Sequence, residues 1–506
     1  MISGAGESTA ARPPLTKILA TIGPASSGQD ITARLIEAGV SIFRLNFSHG
    51  TLDDHLSQVR TIRKAAGVIG NPIAILGDLQ GPKIRVGKVA GEGIEVQPGA
   101  IVRFERGDIV GALADNIVRL GCTYRNLIDD VESGQRLLIN DGAIRMLVVE
   151  KGRDSIECRV VQGGTITSNK GINLPDSHVR AASMSPRDEQ CVRWALDQEL
   201  DFLALSFVRT AEDVRLLAAA VDRAKSECGR PDLRISLIAK IETPQAVENI
   251  EPIVDAADGI MVARGDLGVE MDLAAVPIIQ KRLLNVANDY GKPAIVATQM
   301  LESMINAPSP TRAEASDVAT AILEGTDAVM LSGETAVGKH PSLAVEFMRR
   351  IAQRTEEFVA AQPQQQSPPR KLVESRYRTA ALAHGVWTVS QDLAAKFIIV
   401  WSQQGGGARY LSQNNFCIPI IACTSDDRAA RRMQLLRGVT PVRMHTPESP
   451  AHFTQMADEY LLKTGWASKG DVCIIVASGQ LGVQGATNSL AIHAVGDPTT
   501  GLAARP

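Results

Sequence analysis

A lysine and a glutamate stand two residues apart at Lys240 and Glu242, directly after the apolar run Ser236–Ala239. On a β-strand, residues two apart point to the same side, so the ammonium and the carboxylate would act together. Asp266 follows within Arg264–Gly268, where two glycines are typical of a turn that offers backbone N–H groups to an anion. Because Mg²⁺ is usually held by one or two carboxylates and substrate oxygens, Glu242 and Asp266 predict a Mg²⁺ site. Each motif by itself is also compatible with a surface ion pair or an ordinary tight turn.

Two further segments add a second cluster of polar residues. Arg44, Asn46 and Ser48 share one face of the chain by the period of two, which suits a phosphate or a hydrated cation. Asp78–Arg85 (DLQGPKIR) adds another carboxylate and two cations. Phosphoryl transfer needs mainly positioning and charge neutralisation, which these groups could supply together with Lys240. The sequence has no GxxxxGK[ST] loop and no protein-kinase signature, so nucleotide binding by those routes is not predicted.

Short apolar runs, most of them rich in β-branched residues, are the predicted strands that position these groups. The eight runs are Lys17–Thr21, Val40–Asn46, Ile73–Asp78, Phe202–Ser206, Ile235–Lys240, Gly259–Ala263, Ala294–Thr298 and Ala328–Ser332. Helical stretches fill the intervals, and this alternation predicts an α/β fold, a (β/α)₈ TIM barrel. A doubly wound sheet fits the pattern as well. We favour the barrel because most runs end in a residue capable of chemistry, and barrel enzymes carry their sites at that end.

The interval between Asp78 and Phe202 is too long for a loop in a compact domain. Its strand-like, turn-rich segments predict an inserted, β-barrel-like lid domain at residues 82–175, so the catalytic barrel comprises residues 15–81 and 176–358. Residues 1–14 are predicted to be a flexible N-terminal tail, and residues 359–371, rich in Pro and Gln, a linker. A further pattern of strands and helices predicts a C-terminal α/β three-layer domain at residues 372–506.

The composition argues against several classes of function. With 53 basic and 56 acidic residues the net charge is −3, which does not suit a general nucleic-acid binder or a membrane-surface protein. The seven cysteines are scattered and contain no CxxC pair, so neither a disulfide framework nor a zinc site is predicted. No segment is typical of a signal peptide, and none approaches the ~20 apolar residues of a membrane span. We therefore expect a cytoplasmic protein without nucleic-acid or membrane partners.

Motifs along nearly the whole chain, from residue 15 to residue 496, resemble those of the pyruvate kinase family in order and spacing. They are Thr21–Ser26 (TIGPAS), Arg44–Gly50 (RLNFSHG), Asp78–Arg85, Lys240–Glu242 (KIE), Met261–Gly268 (MVARGDLG), Ala297–Ser303 (ATQMLES) and Met330–Thr335 (MLSGET). The resemblance implies an enzyme that transfers the phosphoryl group of phosphoenolpyruvate to ADP, giving pyruvate and ATP in the final step of glycolysis. It also implies Mg²⁺ as cofactor, for which Mn²⁺ can substitute. The barrel, lid and C-terminal domain of that family match the three segments described above.

The resemblance implies roles for individual residues. Lys240 would neutralise the phosphoryl group in the transition state, with Arg44 and Arg85 assisting. Glu242 and Asp266 would bind the Mg²⁺ that also holds phosphoenolpyruvate.

Other implied roles concern the rest of the substrate, the proton and the nucleotide. Backbone N–H groups around Arg264–Asp266, including that of Gly265, would hold the substrate carboxylate together with Thr298. Thr298 and Ser332 would deliver a proton to carbon 3 of the enolate through a hydroxyl–water relay. The implied nucleotide contacts are Arg44, Asn46, His49, Arg85 and Lys170. Asp141 on the lid would approach the site when the lid closes.

One position departs from the family pattern. The monovalent-cation site of the family corresponds here to Asn46, Ser48, Asp78 and the carbonyl group of Leu79. K⁺-dependent members typically carry Glu at the position that is Lys83 in this chain. We hypothesise that the Lys83 ammonium replaces the K⁺ charge, so that activity does not need K⁺. The alternative is that Lys83 points to solvent and that K⁺ is still used.

One glycine-rich segment is a candidate regulatory site. Ser402–Arg409 (SQQGGGAR) lies where members of the family bind phosphorylated effectors, but such a glycine-rich loop is equally typical of a plain turn. The effector is therefore not identified, and the family implies a homotetramer.

Two other interpretations stay open. An aldolase or lyase of the phosphoenolpyruvate/pyruvate barrel group would explain Glu242 and Asp266, but not the lid or the Asp78–Arg85 motif. A catalytically inactive scaffold would be marked by loss of Lys240 or of either carboxylate, and all three residues are present.

Overall fold

The computed structural model describes residues 13–180, 182–362, 368–478, 481 and 487–502. Residues 1–12 of the predicted tail and residues 363–367 of the predicted linker therefore lie outside the described part. The chain starts the barrel with strands β1 (Lys17–Thr21), β2 (Val40–Asn46) and β3 (Ala74–Leu79) and helices α1 (Gln29–Ala38) and α2 (Leu52–Ile69).

After β3 the chain forms the lid, which is built mostly of antiparallel strands. These are β4 (Ile94–Val96), β5 (Ile101–Glu105), β6 (Ala112–Ala114), β7 (Ile117–Leu120), β8 (Arg136–Ile139), β9 (Ile144–Lys151), β10 (Ser155–Gln162), β11 (Gly164–Ile166) and β12 (Ile172–Asn173), with the short helix α3 (Leu127–Asp130). The main sheet has the order β12-β8-β9-β10-β5-β7-β6, and β11 pairs with β4. Burial alternates along β9 and β10 because one face of this sheet packs on the lid core and the other faces solvent.

The chain then returns to complete the barrel. The remaining barrel strands are β13 (Phe202–Leu205), β14 (Ser236–Ile241), β15 (Gly259–Ala263), β16 (Ala294–Ala297) and β17 (Ala328–Leu331). The helices are α4 (Pro186–Asp197), α5 (Ala211–Glu227), α6 (Pro244–Glu248), α7 (Ile250–Ala256), α8 (Arg264–Glu270), α9 (Val276–Asp289), a 3₁₀ helix (Glu302–Ile305), α10 (Arg312–Leu323), α11 (Gly333–Ala336) and α12 (Pro341–Ala360).

Within the described ranges, eight parallel strands close into a barrel in the order β1-β17-β16-β15-β14-β13-β3-β2. The predicted barrel is confirmed, each predicted strand is present with bounds shifted by at most one residue, and the doubly wound alternative is wrong. Strands β13, β15, β16 and β17 are buried along their whole length, which explains their continuous apolar runs.

Several barrel helices begin at capping boxes encoded locally in the sequence. Thr51 with Asp54 starts α2, Ser185 with Asp188 starts α4, and Thr311 with Glu314 starts α10. In each pair the two side chains satisfy backbone N–H groups that the first helical turn leaves free.

The turn predicted at Arg264–Gly268 was wrong, because α8 begins at Arg264 itself, directly after β15. Gly265 has no positive φ angle. Its lack of a side chain serves a close approach instead, since a Cβ there would lie 3.3 Å from Oγ1 of Thr298.

The C-terminal domain has three layers around a sheet of order β20-β19-β18-β21-β22. Its elements are α13 (Arg370–Glu374), α14 (Arg378–Asp392), β18 (Phe397–Trp401), α15 (Gly406–Ser412), β19 (Ile420–Thr424), α16 (Asp427–Arg432), a second 3₁₀ helix (Met433–Leu435), β20 (Val439–Arg443), α17 (Pro450–Thr464), β21 (Val472–Ser478) and β22 (Thr487–Ala494). Helices α14 and α15 pack on one face of the sheet and α17 on the other, as the separate apolar clusters show. None of the helices in the described ranges combines the length and apolarity needed to cross a lipid bilayer.

Candidate active site

Lys240 lies near the carboxyl end of β14 and is buried among charged groups. Its Nζ is 2.8 Å from Oε1 of Glu242 and 3.4 Å from Oδ1 of Asp78, and it donates a hydrogen bond of 2.7 Å to Oγ of Ser206. Burial by itself lowers the pKa of Lys240, but the carboxylates of Asp78 and Glu242 outweigh burial and raise this pKa above its usual value. Lys240 therefore stays protonated, as an ammonium group at the mouth of the barrel.

Asp78, on β3, joins two cations of the site. Its Oδ2 is 2.7 Å from Nε of Arg44 on β2, and the Arg44 guanidinium also donates to Oγ1 of Thr21 at 3.1 Å. Burial raises the pKa of Asp78, yet Lys240 and Arg44 together lower it below its usual value. Asp78 thus stays ionised and fixes the guanidinium and the ammonium on its two oxygens.

Glu242 directly follows β14, and Asp266 lies in the first turn of α8. Oε2 of Glu242 accepts the backbone N–H of Phe207 at 2.7 Å. Burial raises the pKa of Glu242, Lys240 lowers it, and the negative charge of Asp266 raises it again, so the two carboxylates repel each other. A divalent cation bound between them would remove this repulsion.

These oxygen donors fit Mg²⁺, which is commonly held by one or two carboxylates and otherwise by water and substrate oxygens. In the described part of the chain, no group of three or more His, Cys, Asp and Glu side chains is arranged to hold a metal ion. A metal ion at Glu242 and Asp266 would therefore depend on a bound substrate or on water for its remaining ligands.

Thr298 and Gln299 follow β16 with φ angles of 68° and 54°, a left-handed conformation that is uncommon for residues with side chains. Oγ1 of Thr298 accepts the backbone N–H of Gly265 at 2.7 Å and donates to the carbonyl group of Ala297 at 2.6 Å. The guanidinium of Arg264 donates to the carbonyl oxygens of Thr298 and Gln299 at 2.9 and 3.2 Å. Arg264 therefore holds the turn that places the Thr298 hydroxyl beside the start of α8.

Ser332 follows β17 at the same mouth of the barrel. Its backbone N–H donates to Oε2 of Glu334 at 2.7 Å. Its Oγ atom is buried and has no hydrogen-bond partner among the described residues. Because most buried hydroxyl groups are paired, this one is available to a bound water or ligand.

The loop after β2 and the end of β3 carry the residues of the predicted monovalent-cation site. Oδ1 of Asn46 accepts the backbone N–H of Ser48 at 3.2 Å, while Ser48 and His49 are exposed. The carbonyl group of Leu79 accepts a hydrogen bond of 2.7 Å from Oγ of Ser206.

Three of the predicted residues, Lys83, Arg85 and Lys170, lie close to the lid hinge, where the chain enters and leaves the lid at residues 82 and 175. Nη1 of Arg85 donates to the carbonyl group of Asn169 at 2.9 Å. Lys83 and Lys170 are half-buried. Lys83 runs along the lid backbone, since a Cβ on Gly171 would lie 2.9 Å from Cε of Lys83.

Comparisons with known proteins agree with this geometry. Residues 14–345 match the family described as "Pyruvate kinase, barrel domain", and residues 380–493 match "Pyruvate kinase, alpha/beta domain". The chain belongs to the pyruvate kinase family. The resemblance that its motifs carry is thereby confirmed at the level of the family.

Individual pyruvate kinases are similar over nearly their whole length. The enzyme of Mycobacterium tuberculosis is 39% identical over 481 residues, which covers 95% of this chain and 98% of the relative. That of Corynebacterium glutamicum is 38% identical over 484 residues, covering 96% and 98%. The crystal structure of a pyruvate kinase from Cryptosporidium parvum is 33% identical and superposes with a TM-score of 0.86, covering 96% of each chain. The predicted enzyme class, a phosphotransferase of glycolysis, is confirmed.

In this pyruvate kinase, two polar side chains contact the central cluster without a role having been predicted for them. The Thr21 hydroxyl accepts a hydrogen bond from Arg44, and the Ser206 hydroxyl accepts one from Lys240. Both are the last residues of predicted strands. The rule that barrel strands end at the site indicates Ser206 as a residue capable of chemistry, and it could have identified Thr21 in the same way. The side chain of Arg264 was also missed, since only the backbone of this residue had been considered.

Proposed function

We propose that this pyruvate kinase transfers the phosphoryl group of phosphoenolpyruvate to ADP at the cluster of Lys240, Arg44, Asp78 and Glu242. The observation that carries the proposal is the buried Lys240 ammonium, held 2.8 Å from Glu242 and 3.4 Å from Asp78 at the mouth of the barrel. The transition state of phosphoryl transfer spreads negative charge over the transferring group, so a preorganised cation lowers the barrier. Arg44 and Arg85 would add further positive charge.

Glu242 and Asp266 would hold the divalent metal ion that this family generally uses. Their hard oxygen donors suit Mg²⁺, and Mn²⁺ would find the same ligands. When bound, the metal ion supplies positive charge beside the phosphate and the developing enolate. Lys240, on β14 and already paired with Glu242 directly after that strand, would face the phosphoryl group beside the metal ion.

The start of α8 would bind the carboxylate of phosphoenolpyruvate. The carboxylate would contact the backbone N–H groups of Gly265 and Asp266 and the Thr298 hydroxyl. That hydroxyl accepts the Gly265 N–H at 2.7 Å, and Arg264 holds the turn that carries it. After transfer, the enolate must take a proton at carbon 3. The buried Oγ of Ser332, which has no partner within the described ranges, and the Thr298 hydroxyl support a relay through water.

ADP would bind between the barrel and the lid. The proposed contacts are Arg44, Asn46, His49, Arg85 and Lys170. Asp141 lies in the exposed turn after β8, where closure of the lid would bring its carboxylate toward the site. A lid that excludes water strengthens each electrostatic contact beneath it.

We propose that Lys83 replaces the monovalent cation, so that activity does not require K⁺. The half-buried position of Lys83 against Gly171 supports this, because its ammonium is held near the hinge. The site that K⁺ would otherwise use is formed by Asn46, Ser48, Asp78 and Leu79.

A phosphorylated effector would bind between the barrel and the C-terminal domain. A cavity of about 460 Å³ lies there, next to the glycine-rich segment Ser402–Gly407. Its lining includes Lys225 and Arg234 from the barrel and Arg409 and Arg432 from the C-terminal domain. This excess of cations favours an anionic ligand.

A homotetramer would cover two apolar surfaces of the chain. Leu273 and Ile278, before and within α9, are 69% and 72% exposed. Ile492 is 52% exposed on β22, the edge strand of the C-terminal sheet. Exposed apolar residues and open sheet edges favour association.

The proposal is tested by measuring pyruvate formation from phosphoenolpyruvate, ADP and Mg²⁺, with K⁺ first omitted and then added. We expect activity without K⁺, and we expect Lys240→Met to lower kcat by at least about 10²-fold, as for other preorganised charges at a reacting group. Lys396→Met serves as the matched control, because Lys396 is exposed and paired with Asp471 in the C-terminal domain.

Each result has one meaning. Activity that appears only with K⁺ would keep the transfer reaction and discard the role of Lys83. A folded chain inactive in both conditions, even with phosphorylated metabolites added, would overturn the proposal and favour a lyase or an inactive scaffold.

A further inference from the structure

Helix α8 carries an acidic residue near each end. Asp266 in its first turn is the candidate metal ligand, and Glu270 is its last residue. Glu270 is buried although no step of the proposed reaction uses it. A buried carboxyl group needs a partner, and the partner of Glu270 comes from another domain.

That partner is Asn173, on the lid strand β12. Nδ2 of Asn173 donates to Oε1 of Glu270 at 2.7 Å, and both side chains are buried. Burial raises the pKa of Glu270 to about 7, although the hydrogen bond from Asn173 acts in the opposite direction. The hydrogen bond therefore partly offsets the unfavourable burial of the Glu270 carboxyl group. It also joins the lid to the barrel at a defined point.

The contact sits beside the hinge of the lid. Glu270 and Asn173 line a cavity of about 70 Å³ together with hinge residues such as Pro82 and Pro175. In the lining of the same cavity, Nε2 of Gln245 donates to the carbonyl group of Ser177 at 2.9 Å.

A second approach of the lid to α8 lies further from the hinge. Strand β12 pairs with β8, so Asn173 is fixed to the strand that leads into the turn at Gly142. A Cβ on Gly142 would lie 3.4 Å from Cγ1 of Val269, the residue before Glu270. The lid thus rests on the last turn of α8 at two places, and α8 carries Asp266 and Gly265 at its other end.

We propose that Glu270 is a positioning residue for phosphoryl transfer: its hydrogen bond to Asn173 sets the angle of the lid against helix α8. This inference rests on the proposed function of the site. Because the contact is close to the hinge, a shift there changes the angle of the whole lid. ADP, which would contact Lys170 and Arg85 on the lid side, would be affected more than phosphoenolpyruvate, which would lie on the barrel.

The test exchanges the two members of the hydrogen bond. Asn173→Asp places a second carboxylate against Glu270, where Asp266 and Asp176 already add negative charge that Arg136 partly offsets. Adding Glu270→Gln supplies an amide donor to the new carboxylate, so the double variant restores the bond with reversed roles. Glu270→Gln alone keeps an acceptor for Asn173.

We expect Asn173→Asp to lower kcat/KM for ADP by up to about 10²-fold, the range for a misplacement of about 1 Å, with KM for phosphoenolpyruvate little changed. The double variant should recover most of this loss. Hydrogen exchange at residues 140–142 should be faster in Asn173→Asp and return toward the wild-type rate in the double variant. Glu157→Gln, which disturbs the ion pair of Arg103 and Glu157 within the lid, is the matched control and should leave all these quantities unchanged.

The wild-type protein in the same assay separates the two claims, since its activity reports on the transfer reaction itself. With an active wild type, the inference is overturned if Asn173→Asp behaves like the control. It is also overturned if the double variant shows no recovery, or if KM for phosphoenolpyruvate changes as much as KM for ADP.

Discussion

The Ser332 hydroxyl shows how a single atom can carry information about function. It is buried at the mouth of the barrel, and among the described residues it has no hydrogen-bond partner. Thr335, three residues after Ser332, also has a buried hydroxyl group. That hydroxyl donates to the carbonyl group of Thr21 at 2.8 Å. Both hydroxyl groups are buried, but within the described part of the chain only that of Thr335 makes a hydrogen bond. Their removal should therefore have different effects.

We expect Ser332→Ala to lower kcat by about 10²-fold, the lower range for proton transfer by a positioned group. Thermal unfolding should show an unchanged or raised Tm, because an unpaired buried hydroxyl stabilises nothing in the fold. Thr335→Val, the control, should lower Tm because it leaves a carbonyl group unpaired. A Ser332→Ala protein with lower Tm and normal kcat would instead assign Ser332 a structural role.

At the scale of one element, α8 combines the proposed ligands of the substrate and the metal ion with a contact to the lid within seven residues. The contact with the lid buries the carboxyl group of Glu270, and this burial disfavours its ionised form. Burial raises its pKa from the usual 4.5 to about 7, so folding favours the protonated carboxyl group. The stabilisation from this protonation is complete below pH 4.5 and is lost as the pH rises through 7.

Glu270→Gln removes this titration while keeping the acceptor for Asn173. We therefore expect the Tm of the variant minus that of the wild type to increase between about pH 5 and about pH 8. Glu248→Gln, at an exposed position before α7, is the control and should show no such trend. Equal Tm differences at both pH values would mean that Glu270 does not titrate in this range.

At the scale of the whole molecule, the C-terminal domain contributes a side chain to the interior of the barrel. Leu435, in the 3₁₀ helix after α16, is buried in the apolar cluster of the barrel interior with Phe202 and Ile42. Beside it, Nε of Arg431 is 2.8 Å from Oδ1 of Asp201, a buried barrel carboxylate. Because Phe202 and Leu435 also line the proposed effector cavity, a ligand there would act directly on the barrel core.

Leu435→Ala should therefore lower the stability of the barrel, by about 2–5 kcal/mol for loss of a buried leucine side chain. Scanning calorimetry should show a lower Tm for the transition that includes the barrel. Leu323→Ala, at a leucine 53% exposed on α10, is the matched control and should leave Tm nearly unchanged. A normal barrel transition in Leu435→Ala would show that the C-terminal domain is only loosely docked.

Features that are set by residues close together in the sequence were predictable. The barrel strands were found because buried parallel strands are continuous apolar runs, and Lys240 and Glu242 could be paired because the period of a strand is two. The C-terminal ends of these strands also indicated where Arg44, Asp78, Thr298 and Ser332 would lie, since parallel strands end at one mouth of a barrel. The family resemblance then suggested their roles, which stay predictions.

Contacts between distant parts of the chain were decided only by the tertiary structure. Asp78 was predicted as a cation ligand, but barrel closure places its two oxygens on Arg44 and Lys240. Asn173 and Glu270 are 97 residues apart, and nothing in either local pattern indicates their hydrogen bond. The physical reason is that periodicity fixes the direction of a side chain within one element, whereas the register between strands and the angle of the lid fix which side chains meet.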